Sequence, residues 1–379
     1  MNTAEKIAIL GSGCKFDACS CYPAMRQEKS DDRIGDGIGC SITHSATPDG
    51  KPVSLFKVLY SNACIFDCKY CPSRSGCSIK KTMFNDSELA GAFMKLYVQN
   101  YVEGLFLSSG VIRDADFTME KMLSSVRMLR EKFKYRGYVH LKVMPGASRE
   151  LVKQAAEVAD RLSINVEAPS QSRLAELSDL KDLKIDVLRR QRWMAREGVR
   201  AGHSTQFVVG GAGESDQEIL KMADWEYREV GLQKAYYSAF TPVCSTPLQG
   251  RPQVPVAREV SLYRADFLLR SYKVPLRELQ GVFTEDGMLP LGDPKVHLAR
   301  ARFDGPVDIN EASREDLLRI PGIGHVSAAR LLQMRASEPV TSFEQLHHMG
   351  IVLKRARPFL KVNGHAQATL AQFGGEEHA

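Results

Sequence analysis

Three cysteines stand close together in one short segment of this chain. Cys64, Cys68 and Cys71 follow the spacing C-x3-C-x2-C, directly after an apolar, strand-like run over residues 54–60. Three thiolates can therefore converge on one point from a single loop. A structural zinc site usually requires a fourth ligand, and a disulfide framework requires an even number of cysteines. A [4Fe–4S] cluster fits better, because three cysteines leave one of its four irons open for a ligand that is not protein.

The cysteine spacing, with the aromatic Tyr70 before the third cysteine, resembles that of the radical SAM superfamily. The resemblance implies two cofactors, a [4Fe–4S] cluster on the three cysteines and S-adenosyl-L-methionine (SAM) on the open iron. In that family one electron from the cluster cleaves SAM to a 5′-deoxyadenosyl radical, which implies an electron donor such as flavodoxin or ferredoxin as a partner. The protein positions these groups and keeps water away from them.

The length and composition of the chain fit one large domain plus a small one. The chain has 379 residues, of which 44% are hydrophobic and 25% are charged, and no apolar run is long enough to span a bilayer. No secretory signal follows the amino terminus, and the nine cysteines show no pairing pattern, so we expect a cytoplasmic protein without a membrane partner. The net charge of +6 permits a polyanionic partner without requiring one.

Strand-like and helix-like segments alternate between residues 54 and 243. The predicted strands cover residues 54–60, 104–108, 138–143, 161–166, 205–209 and 235–240, and the predicted helices lie near 86–100, 118–133, 148–159, 171–177, 184–197 and 215–230. Six such units predict a parallel sheet covered by helices. The expected fold class is therefore α/β. The resemblance specifies a partial (β/α)6 TIM-type radical SAM barrel.

Small and polar residues follow several of the predicted strands. In barrels of this kind the chemistry lies at the carboxyl ends of the strands. By the resemblance, SAM is bound by Ser109 and Gly110 after the second strand, Asn165 after the fourth, and Gly210 and Gly211 after the fifth. A glycine is required wherever the backbone must approach the ligand closely. For each single polar residue, a loop cap is the alternative.

Five further cysteines lie outside the C-x3-C-x2-C motif and near it in the sequence, namely Cys14, Cys19, Cys21, Cys40 and Cys77. They could hold a second cluster or a metal ion. The spacing C-x4-C-x-C of the first three matches no common ligand pattern, which favours free thiols.

A glycine-rich turn, Ile320-Pro-Gly-Ile-Gly324, separates two short helical segments near the carboxyl terminus. Gly322 and Gly324 permit a tight hairpin and leave amides bare at the start of the next helix, which can bind a phosphate. This resembles the helix-hairpin-helix motif, which contacts DNA backbones without reading sequence. The resemblance implies a small all-α helix-hairpin-helix domain at the carboxyl terminus. Gly322, Gly324 and Arg330 are the predicted DNA contacts, and residues 343–360 look like a weaker second copy. The alternative is a helical hairpin that only packs.

These features predict five segments: an amino-terminal cysteine-containing extension over 1–50, the barrel over 51–243, a lid or linker with a helix over 244–304, the helix-hairpin-helix module over 305–360, and a disordered tail over 361–379.

The order of the parts resembles radical SAM proteins of DNA modification or repair that carry a carboxy-terminal helix-hairpin-helix. It is most similar to the bacteriophage isomerases of thymidine hypermodification. That resemblance implies isomerisation of an N-linked glycinyl-thymidine to the C-linked form in viral DNA, in the host cytoplasm if the protein is viral. No residue for the rearrangement itself is predicted. Three alternatives stay open: a lesion-repair enzyme with Cys244 or Tyr236 as hydrogen donor, a nucleotide or RNA modifier, and a non-catalytic iron–sulfur DNA sensor.

Overall fold

The computed structural model describes residues 1–14, 17, 41–46 and 52–366. The chain forms two compact units, Met1–Tyr263 and Arg264–Ala379. No helix in these described residues is long and apolar enough to cross a membrane.

The first unit is built on a seven-stranded sheet whose strands lie side by side in chain order. The strands are β1 (Ile42–Ala46), β2 (Pro52–Leu59), β3 (Gly104–Ser108), β4 (Tyr138–Lys142), β5 (Arg161–Ser163), β6 (His203–Val209) and β7 (Lys234–Ala239). β1 is antiparallel to β2, and each later strand is parallel to its neighbours. The predicted partial barrel of six parallel strands is therefore confirmed.

Helices connect the parallel strands, because parallel neighbours require a crossover. They are α2 (Asp86–Val98), α3 (Ala115–Glu131), α4 (Arg149–Val158), α5 (Gln171–Leu177), α6 (Arg189–Glu197) and α7 (Asp216–Trp225), with π-helical segments at Leu183–Leu188 and Glu226–Val230, while α1 (Thr3–Gly13) precedes β1. Capping boxes begin α2 at Asn85 and α7 at Ser215. β3 and β6 are buried along their whole length, as strands covered on both faces should be.

The fourth barrel strand, β5, is shorter than the predicted 161–166. It ends at Ser163. Beyond this residue, the backbone amide of Val166 donates to the side-chain hydroxyl of Thr205 at 2.9 Å and not to a backbone carbonyl of the neighbouring strand. Glu167 adopts a positive φ of 64°. The chain therefore turns at the mouth of the barrel, with Asn165 and Glu167 in the turn.

The second unit is mainly helical. Its helices are the last part of α8 (Val256–Arg270), α9 (Leu276–Leu279), α10 (Pro294–Arg302), α11 (Arg314–Arg319), α12 (His325–Arg335), α13 (Phe343–His347) and α14 (Leu353–Ala356), with 3-10 turns at Gln280–Val282 and Arg357–Phe359. The short strands β8 (Val307–Asp308), β9 (Leu360–Val362) and β10 (His365–Ala366) form a small sheet. Ordered structure thus extends past residue 360, where the tail was predicted to begin, because Leu360 and Val362 are buried in the core of this unit.

Lys295 is a buried lysine of α10 in the second unit. Its Nζ donates to the Ile323 carbonyl at 2.7 Å and lies 4.2 Å from the centre of the Tyr272 ring. Burial, and secondarily the Arg319 guanidinium, lowers the pKa of Lys295 to about 7 from 10.5. Between these two values the unfolded chain binds more protons than the folded chain, so the free energy of unfolding rises with pH.

Lys295→Met should remove this pH dependence. Between about pH 7 and pH 9, the free energy of unfolding of the wild type should rise by about 2 kcal/mol relative to that of the variant. Thermal unfolding of the full chain at both pH values measures the difference. Lys354→Met, at an exposed lysine of α14, should behave as the wild type does. Equal pH dependence in wild type and Lys295→Met would contradict the lowered pKa.

Candidate active site

Cys64, Cys68 and Cys71 line one cavity at the carboxyl ends of the barrel strands. They lie on the loop between β2 and α2. The Asn62 side chain fastens this loop, since it accepts from the Thr82 amide at 2.8 Å and donates to the Lys80 carbonyl at 2.9 Å. The three sulfurs are therefore held by a fixed backbone on one side of the cavity.

Gly110 brings the turn after β3 directly against the cysteine loop. Its amide donates to the Ser61 carbonyl at 2.7 Å. A Cβ at this position would lie 2.5 Å from the Ala63 carbonyl oxygen and 3.1 Å from the Cβ of Cys64. Only glycine permits such an approach. The next amide, of Val111, donates to the Cys64 sulfur at 3.4 Å.

The three cysteines fit a [4Fe–4S] cluster. Burial raises the pKa of Cys68, and burial together with the neighbouring Cys68 raises that of Cys71 to about 12. Metal binding deprotonates such thiols. In the described ranges no three His, Cys, Asp or Glu are grouped for a single metal ion. In a cluster each cysteine binds a different iron, whereas a single metal ion requires all of its ligands around one point. Three separated sulfurs on one loop therefore suit a cluster.

A buried ion pair lies in the same cavity. Lys181 and Glu167 are 3.3 Å apart, with side chains only 7% and 6% exposed. The Lys181 ammonium also lies close enough to Cys68 to raise its own pKa, and Glu167 acts on the buried Tyr70 hydroxyl, whose pKa is raised mainly by burial. Burial lowers the pKa of Lys181, but Cys68 and Glu167 raise it more, so this lysine carries a positive charge beside the cysteines.

The predicted SAM-binding residues divide into two groups. Ser109, Gly110 and Asn165 line the cavity with the cysteines. Gly210 and Gly211 do not. Gly210, at a φ of 78°, packs against Val254 and Arg258, and Gly211 packs against Val208 and Leu177. These two glycines form the tight turn after β6, and contact with SAM stays a prediction for all five residues.

Lys181 and Asp17 are charged residues of the cavity that the sequence analysis missed. Lys181 lies in the loop after α5, and Asp17 lies beyond α1 in the amino-terminal extension. Neither follows a predicted strand, so no spacing signals them. Lys142, the last residue of β4, forms an ion pair with Asp17. Cys14 is buried beside Asp17. Cys77 is buried with its sulfur 3.7 Å from the Ser245 carbonyl, and Cys19, Cys21 and Cys40 lie outside the described residues.

The predicted DNA contacts come together in two facing hairpins of the second unit. Gly322 has a φ of 85°, and a Cβ there would lie 2.5 Å from the Val352 carbonyl of the second hairpin. The Val352 amide donates to the Gly322 carbonyl at 2.9 Å. Gly324 is the N-cap of α12, and Arg330 is exposed on that helix, close to Gly350 of the second hairpin.

Several basic residues of this module are engaged within the unit. Arg319 is buried and pairs with Glu278 at 2.9 Å, Arg335 donates to the Ile309 carbonyl at 2.9 Å, and Arg355 pairs with Asp293. Arg330 and Lys354 are exposed. Part of the positive charge of this module is therefore engaged within the unit.

Comparisons with known proteins give two family matches. Residues 58–225 match the model of the Radical SAM superfamily, and residues 304–351 match that of the helix-hairpin-helix motif. No curated protein matches the chain. The chain therefore contains a region that matches the radical SAM superfamily and a region that matches the helix-hairpin-helix motif. Its cofactors are a [4Fe–4S] cluster and SAM.

Solved structures with some similarity include methylornithine synthase (PylB), with a TM-score of 0.47 and 12% identity over 56% of this chain and 61% of that one. Another is the [FeFe]-hydrogenase maturase HydG from Carboxydothermus hydrogenoformans, with a TM-score of 0.46 and 13% identity over 64% and 54%. The matched part spans less than two thirds of each of those chains.

Gly110→Ala should lower the iron content of the reconstituted protein. The added methyl group overlaps the Ala63 carbonyl, so the loop must shift at a cost of about 1–3 kcal/mol, and Cys64 moves with it. Iron and sulfide analysis measures the effect, with circular dichroism to verify folding. Gly91→Ala is the matched control: Gly91 lies in α2 with open space around its Cβ position. This control should keep its iron and gain about 0.5–1 kcal/mol. Full iron content in Gly110→Ala would contradict the argument.

Proposed function

We propose that this protein modifies bases in DNA, and that it converts an N-linked glycinyl group on thymidine to the C-linked form. One observation carries the proposal: a cavity with three cysteines and a pair of glycine hairpins suited to phosphate groups occur in one chain. A radical generator alone would act on many substrates. The hairpin module restricts the proposed substrate to a polynucleotide.

Within the cavity, Cys64, Cys68 and Cys71 hold the cluster in this proposal, and Ser109, Gly110 and Asn165 contact SAM. When bound, the two cofactors supply a 5′-deoxyadenosyl radical that removes a hydrogen atom from the substrate and returns one to it, with flavodoxin or ferredoxin as electron donor. Apolar side chains such as Phe66, Val143 and Met144 line the same cavity and exclude water from the reacting atoms.

The proposed reaction is an isomerisation that leaves composition and oxidation state unchanged. One hydrogen atom leaves the glycine Cα, where the amine and the carboxylate stabilise the resulting radical. The thymine C5-methylene then moves from nitrogen to Cα, so that one C–N bond breaks and one C–C bond forms. A hydrogen atom finally returns to the nitrogen and gives a primary amine.

The target base must leave the base stack, because the cavity lies at the ends of buried barrel strands and cannot admit a duplex. Unstacking costs a few kcal/mol. Phosphate contacts by the hairpin module offset part of this cost. The exposed Arg330 and the amides after Gly324 are the proposed contacts.

Arg330→Gln should weaken binding to duplex DNA of any sequence and reduce the slope of log K against log salt concentration by about 1. Fluorescence anisotropy with duplexes of unrelated sequence measures both quantities. Arg200→Gln, at an arginine whose side chain is 86% exposed on the first unit, is the control and should leave the slope unchanged. An unchanged slope for Arg330→Gln would favour a module that only packs.

The proposed reaction is tested anaerobically with the reconstituted protein, SAM, dithionite and DNA that carries either thymine or the N-linked glycine adduct. Nucleoside mass spectrometry and a 5′-deoxyadenosine assay provide the readout. An adduct of unchanged mass and altered retention, absent with Cys68→Ala, supports the isomerase. Deoxyadenosine without an altered nucleoside refutes this substrate and leaves a nucleotide or RNA modifier as the alternative. No deoxyadenosine favours the sensor.

Lesion repair is the second candidate function. Cys244 is exposed and directly follows Val243, which lines the cavity, so a thiol stands close to the position that a hydrogen donor would need. Tyr236, the other candidate donor, is buried in β7. Cys244→Ala separates the two functions, because repair requires the donor and the isomerisation returns the same number of hydrogen atoms that it removes.

A further inference from the structure

A second ion pair lies in the cavity, away from the Lys181–Glu167 pair. The ammonium of Lys142 contacts the carboxylate of Asp17, and their side chains are 14% and 15% exposed. Both residues line the cavity together with the three cysteines. The Cys14 thiol donates to the second oxygen of the Asp17 carboxylate at 3.5 Å. The amino-terminal extension thus contributes a charged group to the cavity.

The charges around Asp17 do not cancel locally. Lys57 of β2 is buried as well, and its positive charge acts on Asp17 together with that of Lys142. Glu167 also acts on Lys142, but it is paired with Lys181. Two positive charges therefore act on one carboxylate, and a further negative charge on a ligand would be stabilised here.

Folding does not explain this arrangement. Removing two charges from water costs about as much as their attraction returns, and an apolar pair of similar volume is often as stable. Burial raises the pKa of Asp17 but Lys142 lowers it more, and burial lowers the pKa of Lys142 but Asp17 raises it more. Both groups are therefore charged at neutral pH, and they line a cavity that a charged ligand could enter.

We propose that Lys142 and Asp17 bind a zwitterionic amino-acid group of the substrate. The Lys142 ammonium binds the carboxylate, and the Asp17 carboxylate accepts a hydrogen bond from the substituted ammonium. A neighbouring cation and anion match the two ends of an amino acid, whereas unmodified thymine carries neither charge. The glycinyl adduct as ligand rests on the proposed function. When thymine enters, the two buried charges would find no charged group on the ligand, which disfavours binding. The pair would therefore distinguish the glycinyl adduct from the abundant thymine.

The competing explanation is structural: the pair only attaches the amino-terminal extension to the barrel. Lys6 and Glu88 provide a matched control, because they also join the extension to the barrel, at 2.5 Å and with side chains 18% and 13% exposed. Neither lines the cavity. Lys6→Met removes a comparable ion pair without changing the proposed binding site.

Binding of two free nucleosides tests the proposal without any contribution from the hairpin module. The first is thymidine with glycine N-linked at the C5-methylene, and the second carries methylamine there and so lacks the carboxylate. Equilibrium dialysis with the reconstituted protein and SAM gives both dissociation constants. Wild type and Lys6→Met should prefer the first nucleoside by about 10-fold or more, the effect of one hydrogen bond to a charged group. Lys142→Met should lose the preference.

The double variant Asp17→Lys with Lys142→Glu keeps an ion pair and exchanges its ends. Thermal unfolding should show that this variant is more stable than Lys142→Met, while the preference for the glycinyl nucleoside stays lost. Recovery of both the stability and the preference would show that the pair is structural and overturn the proposal. Equal binding of the two nucleosides by the wild type, or no binding of either, would also overturn it.

The outcome is separable from that of the proposed function. Selective binding of the glycinyl nucleoside without isomerisation in DNA would refute the function and support the binding site. Isomerisation with the same KM in wild type and Lys142→Met would support the function and overturn the binding site.

Discussion

The close contact between Gly110 and the cysteine loop is the constraint on which the active site depends. The hydrogen bonds between β2 and β3 continue beyond both strands, from Tyr60 to Ser108 and from Gly110 to Ser61, each at 2.7 Å. The register of two buried strands thus sets the position of Cys64. Because a parallel register is determined by which side chains are buried, the apolar core of the barrel places the cysteines indirectly.

Electrostatics imposes a second condition on the cavity. The two ion pairs join segments distant in the chain: Asp17 and Lys142 are 125 residues apart, and Lys181 lies in a loop that no strand positions. An unpaired charge in such surroundings costs several kcal/mol, so the cavity is stable only when all four groups are in place. The amino-terminal extension is therefore part of the site and not an appendage to the barrel.

The sequence predicted the parts of the site that follow from periodicity. Cys64, Cys68, Cys71, Ser109, Gly110 and Asn165 all line the cavity, because each follows a strand whose pattern is visible locally. Long-range partners have no such signal. Arg319, for example, is buried against Glu278, 41 residues away, and no local pattern signals this pairing. Gly210 and Gly211 do not line the cavity and lie beside Val254 and Leu177, so their contact with SAM stays a prediction.

The positive charge of Lys181 beside Cys68 would affect electron transfer to a cluster held by the three cysteines. The reduction potential of an iron–sulfur cluster depends on nearby charge and on hydrogen bonds to its sulfurs. The buried positive charge of Lys181, which acts on Cys68, and the Val111 amide, which donates to the Cys64 sulfur, would both stabilise the additional negative charge of a reduced cluster. A cluster held by these cysteines would therefore have a higher reduction potential than it would without them, and a weaker reductant could supply its electron.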